Sequence, residues 1–243
     1  SMFLDAMQTS PEWMTRYAKD AAGNPYPFSL YEEEVRNTAS VRPLAMMSIM
    51  MVAEFERILY EADELSEAFV LQTARDVTQK YTDYASDSHY VLQVPHMYSW
   101  ESAAYYHCYG LAQLAVAQWR TYFYDKYGYI VDNEAIGPEM YAVWKHGARF
   151  TFKEFVHMAT GGHLSADAYV AELTSTVAEQ LQTARTRIAA LASVPPHEGP
   201  VELHAIIRMM HGTEVVADNS LGFEVMAEAY AQWYRAMLRD TAQ

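Results

Sequence analysis

The amino-acid sequence predicts an all-α protein. Long stretches rich in Ala, Glu, Met, Leu, Gln and Arg carry apolar residues at three- and four-residue spacing, which is typical of amphipathic helices. Runs with the strict alternation of apolar and polar residues that is typical of strands are nearly absent. Hydrophobic residues make up 51% of the 243 positions, which is enough to bury a substantial core.

Prolines, glycines and capping residues divide the chain into separate helical stretches. Pro43 is expected to kink the second stretch, Ser66 to cap the third, and Gly128 to end the long, aromatic-rich fourth one. This fourth stretch is expected to be one continuous helix. The helices expected from these signals cover residues 3–21, 30–60, 66–85, 94–127, 139–145, 151–159 and 165–191.

A domain boundary is expected over residues 193–200. This stretch contains Pro195-Pro196 and Gly199-Pro200, which cannot lie inside a helix. The chain is therefore expected to consist of a main portion over residues 1–192, a linker over residues 193–200 and a helical C-terminal extension over residues 201–243. Helices are expected in the extension at residues 201–210 and 220–239.

Charge and hydropathy exclude two classes of partner. There are 31 acidic and 17 basic residues, and the net charge of −14 argues against binding to nucleic acid, which needs clustered Lys and Arg. The longest apolar run, near residues 44–53, is far shorter than the roughly 20 residues needed to span a bilayer, so no membrane partner is expected. With no charged, apolar leader at its start and Cys108 as its only cysteine, the chain is expected to be cytoplasmic.

The nine histidines invite a search for a zinc site. A His-Glu-x-x-His motif places two histidines on one helical face with a Glu beside the first. The only His-Glu dipeptide is His197-Glu198, which lies in a turn-forming stretch with no second histidine four residues later. The remaining histidine pairs have a wider spacing and lack an evident third ligand, namely His157 with His163 and His204 with His211. No metal site is therefore predicted in this chain.

Catalysis by a nucleophilic side chain has no better support in the sequence than a zinc site has. Cys108 lies within an apolar helical stretch, where a cysteine usually behaves as a small hydrophobic residue. The sequence contains neither a Gly-x-Ser-x-Gly elbow nor a phosphate-binding loop. Acyl transfer through a nucleophile of this chain is not predicted.

One segment concentrates polar aromatic residues. Within residues 95–110 lie His96, Tyr105, Tyr106, His107 and Tyr109. A tyrosine hydroxyl that lines a cleft can donate a hydrogen bond to a developing oxyanion. Alternatively, tyrosines pack at helix interfaces because each has an apolar ring and a polar tip. Composition alone leaves both interpretations open.

This segment resembles the thimet oligopeptidase and oligoendopeptidase F family of zinc peptidases. Members of that family carry, after their zinc motif, a histidine followed by a Tyr-rich helix similar to residues 96–112. The resemblance extends over residues 1–191 and implies a helical bundle like the C-terminal portion of the family's catalytic domain. The other segments that resemble the family, in the same order, are residues 1–5, 125–138, 144–150 and 155–165.

The resemblance implies catalytic roles for four residues of this segment. His96 would contact the substrate backbone. One or two of Tyr105, Tyr106 and Tyr109 would stabilise the tetrahedral oxyanion. Because the aromatic spacing differs from that of thimet oligopeptidase by about one residue, the role of each tyrosine stays open.

The resemblance also implies substrate-binding roles for His107 and for Arg149, whose guanidinium group would meet a peptide carboxylate. In the family, zinc is held by the two histidines of His-Glu-x-x-His and by a Glu on the next helix. Those ligands would all fall before Ser1, so no cofactor is expected in this chain, and Zn²⁺ would belong to the full-length family enzyme.

The leading hypothesis is therefore the C-terminal portion of a zinc-dependent oligopeptidase that hydrolyses short peptides. Its expected partners are short peptides and either an upstream zinc-binding half or a second copy of this chain. The alternative is a non-catalytic helical module that binds peptides or a partner subunit, as a split enzyme or a pseudoenzyme. That alternative is motivated by the first helix, which starts without the helices on which it would pack in the family.

Overall fold

The computed structural model describes residues 2–83, 89–199 and 203–241. In these ranges the chain forms eleven α-helices and one two-stranded sheet, so the predicted all-α fold class is confirmed. The chain divides into two compact units, Ser1–Pro196 and His197–Gln243. The division after Pro196 lies within residues 193–200.

Ten of these α-helices belong to the first unit. They are α1 (Met2–Gln8), α2 (Pro11–Tyr17), α3 (Phe28–Thr38), α4 (Arg42–Glu61), α5 (Glu67–Tyr81), α6 (His107–Tyr127), α7 (Ile136–Trp144), α8 (Phe152–Thr160), α9 (Asp167–Thr174) and α10 (Val177–Ala190). Short 3₁₀ helices occur at Tyr90–Gln93, Pro95–Tyr98, Trp100–Ser102 and Leu191–Ser193.

Three of the long helices predicted from the sequence are each divided in two. Ser10 caps α2, and Thr176 caps α10 with a capping box, so new helices begin where continuous ones were expected. Pro43 lies in the first turn of α4 and does not kink a longer helix, because the first turn needs no N–H from that residue. The predicted Ser66 cap of α5 is confirmed. This helix ends at Tyr81, and the helix end expected at residue 85 lies outside the described ranges.

The prediction of one continuous helix over residues 94–127 is wrong. Two 3₁₀ turns, Pro95–Tyr98 and Trp100–Ser102, precede α6, which begins at His107. Ala104 has a φ of 53°, in the left-handed region, and a residue in this conformation cannot continue a right-handed helix. The predicted end of this helix at Gly128 is confirmed, because Gly128 adopts the left-handed conformation of a helix C-cap.

The first unit is organised around two hydrophobic clusters. The α6 cluster collects side chains from α1, α6, α7 and α8, and Phe3 of α1 packs there against Trp119 and Phe123. The apolar face of α1 therefore has a partner in α6. The α4 cluster consists of Met51, Val52, Phe55, Ala74, Val77, Val91 and Val94.

The second unit contains a β-hairpin followed by a helix. Strands β1 (Arg208–His211) and β2 (Glu214–Asp218) pair antiparallel, and α11 covers Phe223–Thr241. The helix predicted over residues 201–210 is therefore wrong where the structure describes it, from residue 203 onwards. A two-residue loop joins the strands, and its first residue, Gly212, has a φ of 58°. A glycine at this position is typical of tight β-hairpins, because it adopts a positive φ without steric cost.

None of the helices in the described ranges is long and apolar enough to cross a membrane.

The α4 cluster gives a stability prediction. Phe55 is fully buried, so Phe55→Ala is expected to lower the free energy of unfolding by about 3–5 kcal/mol, because the lost contacts leave a cavity. Leu44→Ala on the same helix serves as the control: Leu44 is 47% exposed, and a change of no more than about 0.5 kcal/mol is expected. Urea unfolding followed by circular dichroism measures both, and equal losses would contradict the assignment of this core.

Candidate functional site

The broken helix before α6 brings His96 next to Tyr109. The His96 Nε2 atom lies 3.0 Å from the Tyr109 hydroxyl oxygen, although the two residues are 13 positions apart. A continuous helix would separate them by about 20 Å along its axis. The departure from the predicted helix therefore creates this contact.

Four residues predicted to be catalytic converge there and are called the His/Tyr cluster: His96, Tyr105, Tyr106 and Tyr109. The Tyr109 ring is central, with its centroid 5.5 Å from His96, 5.5 Å from Tyr105 and 5.3 Å from Tyr106. These neighbouring rings meet it edge to face, a favourable arrangement for aromatic side chains. The His96 and Tyr105 rings are nearly parallel, with centroids 6.4 Å apart.

The contact between His96 and Tyr109 has two chemical forms. If His96 carries its proton on Nδ1, Tyr109 donates its only hydroxyl proton to Nε2 and has none left for a substrate. If His96 carries the proton on Nε2, it donates to the Tyr109 oxygen and leaves the Tyr109 O–H free. In the second form, Tyr109 is an oriented donor whose ring is held by its three neighbours.

A buried carboxylate fixes the start of α6. The Tyr106 backbone N–H donates to Glu56 Oε2 at 3.0 Å, whereas no side chain within α6 caps this terminus. Glu56 comes from α4 and is only 2% exposed. A carboxylate is favourable at a helix N-terminus because the unpaired N–H groups there carry partial positive charge. The second oxygen, Glu56 Oε1, is buried without a hydrogen-bond partner among the described residues.

The hydroxyl of Tyr106 is kept in its protonated form. Burial raises the pKa of Tyr106 above its ordinary value, and the negative charges of ionised Tyr90 and Tyr109 and of Glu56 act in the same direction. A raised phenol pKa extends the range in which the neutral O–H can donate a hydrogen bond. It also means that this group's contribution to stability is present below its ordinary pKa and is lost as the pH rises through the folded-state pKa.

A cavity of about 700 Å³ is lined by residues that adjoin members of the cluster, in the sequence or by a hydrogen bond. Its lining includes Glu56, Ala104 and His107. A second carboxylate in the lining, Glu54, accepts hydrogen bonds from Lys80 Nζ at 2.8 Å and from the Tyr81 hydroxyl. The hydrogen bond from Lys80 makes the largest contribution and that from Tyr81 the next, and together they hold the pKa of Glu54 below its ordinary value.

The two predicted substrate-binding residues lie outside the cluster. His107 borders the cavity, and its Nε2 atom is 3.7 Å from Cys108 Sγ. Arg149 lies in the loop after α7, where its guanidinium carbon is 6.0 Å from the centre of the Phe150 ring. Within the described ranges no hydrogen bond, ion pair or ring contact joins Arg149 to the cluster, and its substrate-binding role stays a prediction.

Sequence reasoning missed Glu56 and Ala104. A signal for Glu56 was present in the sequence. Glu56 follows Val52 by four residues and Phe55 by one, which places it on the buried face of α4 that these two residues define. An acidic residue on a core face calls for a buried donor. No comparable signal marks Ala104, since its left-handed conformation is set by the surrounding fold.

The cluster does not fit a zinc site. Zinc in proteins takes Cys, His and carboxylate ligands, whereas the cluster offers one imidazole and three phenols. In the part of the chain that the structure describes, no three His, Cys, Asp or Glu side chains converge so that they could hold a metal ion. These side chains are instead suited to hydrogen bonding with a substrate.

No family model, curated protein or solved structure matches this chain. The resemblance to the oligoendopeptidase F family consequently stays a prediction.

The Glu56 cap gives a local prediction. Glu56→Ala removes the acceptor of the Tyr106 N–H, so hydrogen exchange of this amide is expected to become about tenfold faster. Glu56→Gln keeps a side-chain oxygen acceptor and should retain most of the protection. Amide exchange measured by NMR tests both variants.

Glu61→Ala is the matched control, because Glu61 is an exposed residue of the same helix whose carboxylate pairs with Arg57. It should leave exchange at Tyr106 unchanged. If Glu56→Ala also leaves it unchanged, Glu56 does not fix the start of α6.

Proposed function

We propose that this chain supplies the peptide-binding and oxyanion-stabilising wall of a zinc-dependent oligopeptidase that hydrolyses short peptides. The observation that carries the proposal is the contact between His96 Nε2 and the Tyr109 hydroxyl, within a cluster of four residues from one segment. In this proposal the zinc ligands come from an upstream half or from a separate partner chain, and the enzyme works in the cytoplasm.

The chemistry of peptide hydrolysis gives the cluster its role. Attack of water on a peptide carbonyl places a negative charge on the carbonyl oxygen of the tetrahedral intermediate. Donors that are already oriented towards that oxygen stabilise the transition state more than the ground state. Tyr109 is such a donor when His96 donates to its oxygen, and the hydroxyl of Tyr106, whose ring packs against Tyr109, offers a second O–H in the same cluster.

Exposed aromatic side chains in the same segment as the cluster favour peptide binding. Trp100, which lies between His96 and Tyr105 in the sequence, is 95% exposed, and Tyr98 is 71% exposed. Large exposed aromatics are typical of binding surfaces, because each contributes much apolar area at low conformational cost. A peptide chain that lies over this surface would present its backbone groups to His96.

The second candidate function is a non-catalytic helical module that binds peptides or a partner subunit. The exposure of Trp100 favours it equally well, because an exposed aromatic surface serves binding without requiring turnover. The two candidates therefore share the binding step and differ only in whether a zinc-containing partner completes the site.

The shared binding step is tested with the isolated chain and a fluorogenic octapeptide. We expect measurable binding by fluorescence anisotropy, and His96→Ala should raise the Kd about fivefold to tenfold, because one backbone contact is lost. His163→Ala is the control, because His163 is an exposed histidine of the loop after α8, and it should not change the Kd. A chain that does not bind the octapeptide contradicts the oligopeptidase proposal and the peptide-binding form of the second candidate.

Turnover separates the candidates. Because the sequence lacks a His-Glu-x-x-His motif, the isolated chain with added Zn²⁺ should not hydrolyse the octapeptide, and chelator-sensitive turnover by the pure chain would contradict the proposed division of labour. In an assembly with a zinc-bearing half, Tyr109→Phe should lower kcat by about 10²-fold to 10³-fold with little change in KM. An assembly that binds the peptide without hydrolysing it favours the non-catalytic module.

A further inference from the structure

The second unit, His197–Gln243, has very little core of its own. Ala217 is the one buried residue among those that the structure describes in this unit. Units of this size need a disulfide, a structural metal or association with another surface for stability. The unit contains no cysteine, and no three potential metal ligands converge within the described ranges. Association with another surface is therefore expected.

One face of α11 is covered by the hairpin. The centre of the Trp233 ring lies 5.1 Å from that of the His211 ring in β1. The residues that share this face at helical spacing are half-buried, namely Met226, Ala229 and Ala236. The hairpin therefore accounts for this apolar face of the helix.

A second apolar stripe of α11 is exposed. It consists of Phe223, Ala227, Tyr230 and Tyr234, whose spacing places them on one side of the helix, and it continues at Leu238. Phe223 is 38% exposed and Tyr234 is 44% exposed. Exposed apolar residues that form a continuous stripe with several aromatic rings are typical of an association surface.

The charged residues along this stripe are separated by sign. Glu224 and Glu228 lie in the N-terminal half of α11, and Arg235 and Arg239 lie in its C-terminal half. Each of the four directly follows a residue of the stripe, so all of them flank the same edge, and all are exposed. The described ranges contain no ion pair that involves any of them.

Within a single helix this arrangement is unfavourable. Glu224 and Glu228 are four residues apart, as are Arg235 and Arg239, and like charges at this spacing repel. None of the four has an opposite charge three or four residues away. The helix dipole does not explain the separation, because its effect is confined to the first and last turns, and Glu228 and Arg235 lie further inside the helix.

We propose that α11 pairs antiparallel with α11 of a second copy of this chain, about a two-fold axis that passes near Tyr230. In this arrangement the two stripes cover each other, and the same charged edge of each helix meets that of the other. The acidic half of one helix then lies opposite the basic half of its partner, so both like-charged pairs gain opposite charges. A parallel pair would instead place like charges opposite each other.

The proposed dimer surface belongs to the second unit alone and does not depend on the peptidase role. Its residues are self-complementary, because one helix supplies both the apolar stripe and the two signs of charge in an order that the two-fold axis reverses. This property favours a second copy over an unrelated protein.

Sedimentation equilibrium of the full chain tests the proposal. We expect a species of twice the chain mass of 27.7 kDa, with a dimer Kd below about 10 μM. A chain that stays monomeric at about 100 μM overturns the proposal. Slow amide exchange at Tyr230 in such a monomer would assign the stripe to a contact within the chain.

Charge reversal tests the antiparallel pairing. The double variant Arg235→Glu, Arg239→Glu and the double variant Glu224→Arg, Glu228→Arg should each weaken self-association at least about tenfold, because like charges then meet across the axis. An equimolar mixture of the two should dimerise again, since one helix is acidic and the other basic. Unchanged dimerisation of either variant alone, or a mixture that does not recover, contradicts the pairing.

A charge within the stripe provides an independent test. Tyr234→Glu should weaken dimerisation at least about tenfold, because it buries a carboxylate among apolar side chains. Gln232→Glu is the matched control: it adds the same charge on the side of α11 opposite Tyr230 and should leave the Kd unchanged. Equal weakening by both would contradict the proposed surface. The charge-reversal variants remain decisive if Tyr234→Glu does not fold.

Discussion

The hydrogen bond from the Tyr106 N–H to the buried carboxylate of Glu56 determines where α6 begins. It joins the C-terminal half of α4 to the N-cap of α6, so the start of one long helix is set by a side chain from another. Ala104, in its left-handed conformation, turns the preceding chain away from the helix axis. Without this interruption, His96 would lie several turns from Tyr109 and no cluster would form.

The helix that starts there organises most of the first unit. Its N-terminal turn carries Tyr109, one of the proposed oxyanion donors, whereas Trp119 and Phe123 further along build the hydrophobic cluster that holds α1, α7 and α8. Arg120, which lies between these two core residues in the sequence, lines a cavity of about 450 Å³ together with Arg42 and Arg187. One helix thus contributes to the core and to the proposed peptide site, and the Glu56 cap positions that site.

The fold class and the members of the His/Tyr cluster could be predicted from the sequence, because both depend on local patterns. The spacing of apolar residues indicates helices, and a Tyr-rich helical segment next to a histidine can be recognised from the sequence alone. The break before His107 could not be predicted, since the capping carboxylate is 50 positions away at Glu56. The hairpin at Gly212 was predictable from its two-residue glycine-first loop and the β-branched residues after it, but helical spacing up to Met210 concealed it.

The chain folds back between His96 and Tyr109, and a single NMR measurement tests this geometry directly. With both rings isotopically labelled, we expect a nuclear Overhauser effect between the His96 imidazole and Tyr109 ring protons, because the ring centroids are 5.5 Å apart. A continuous helix would instead give contacts between His96 and Trp100, one turn later, and no signal between His96 and Tyr109. Observation of that second pattern would contradict the proposed site, whereas the first would establish the geometry on which the proposed function depends.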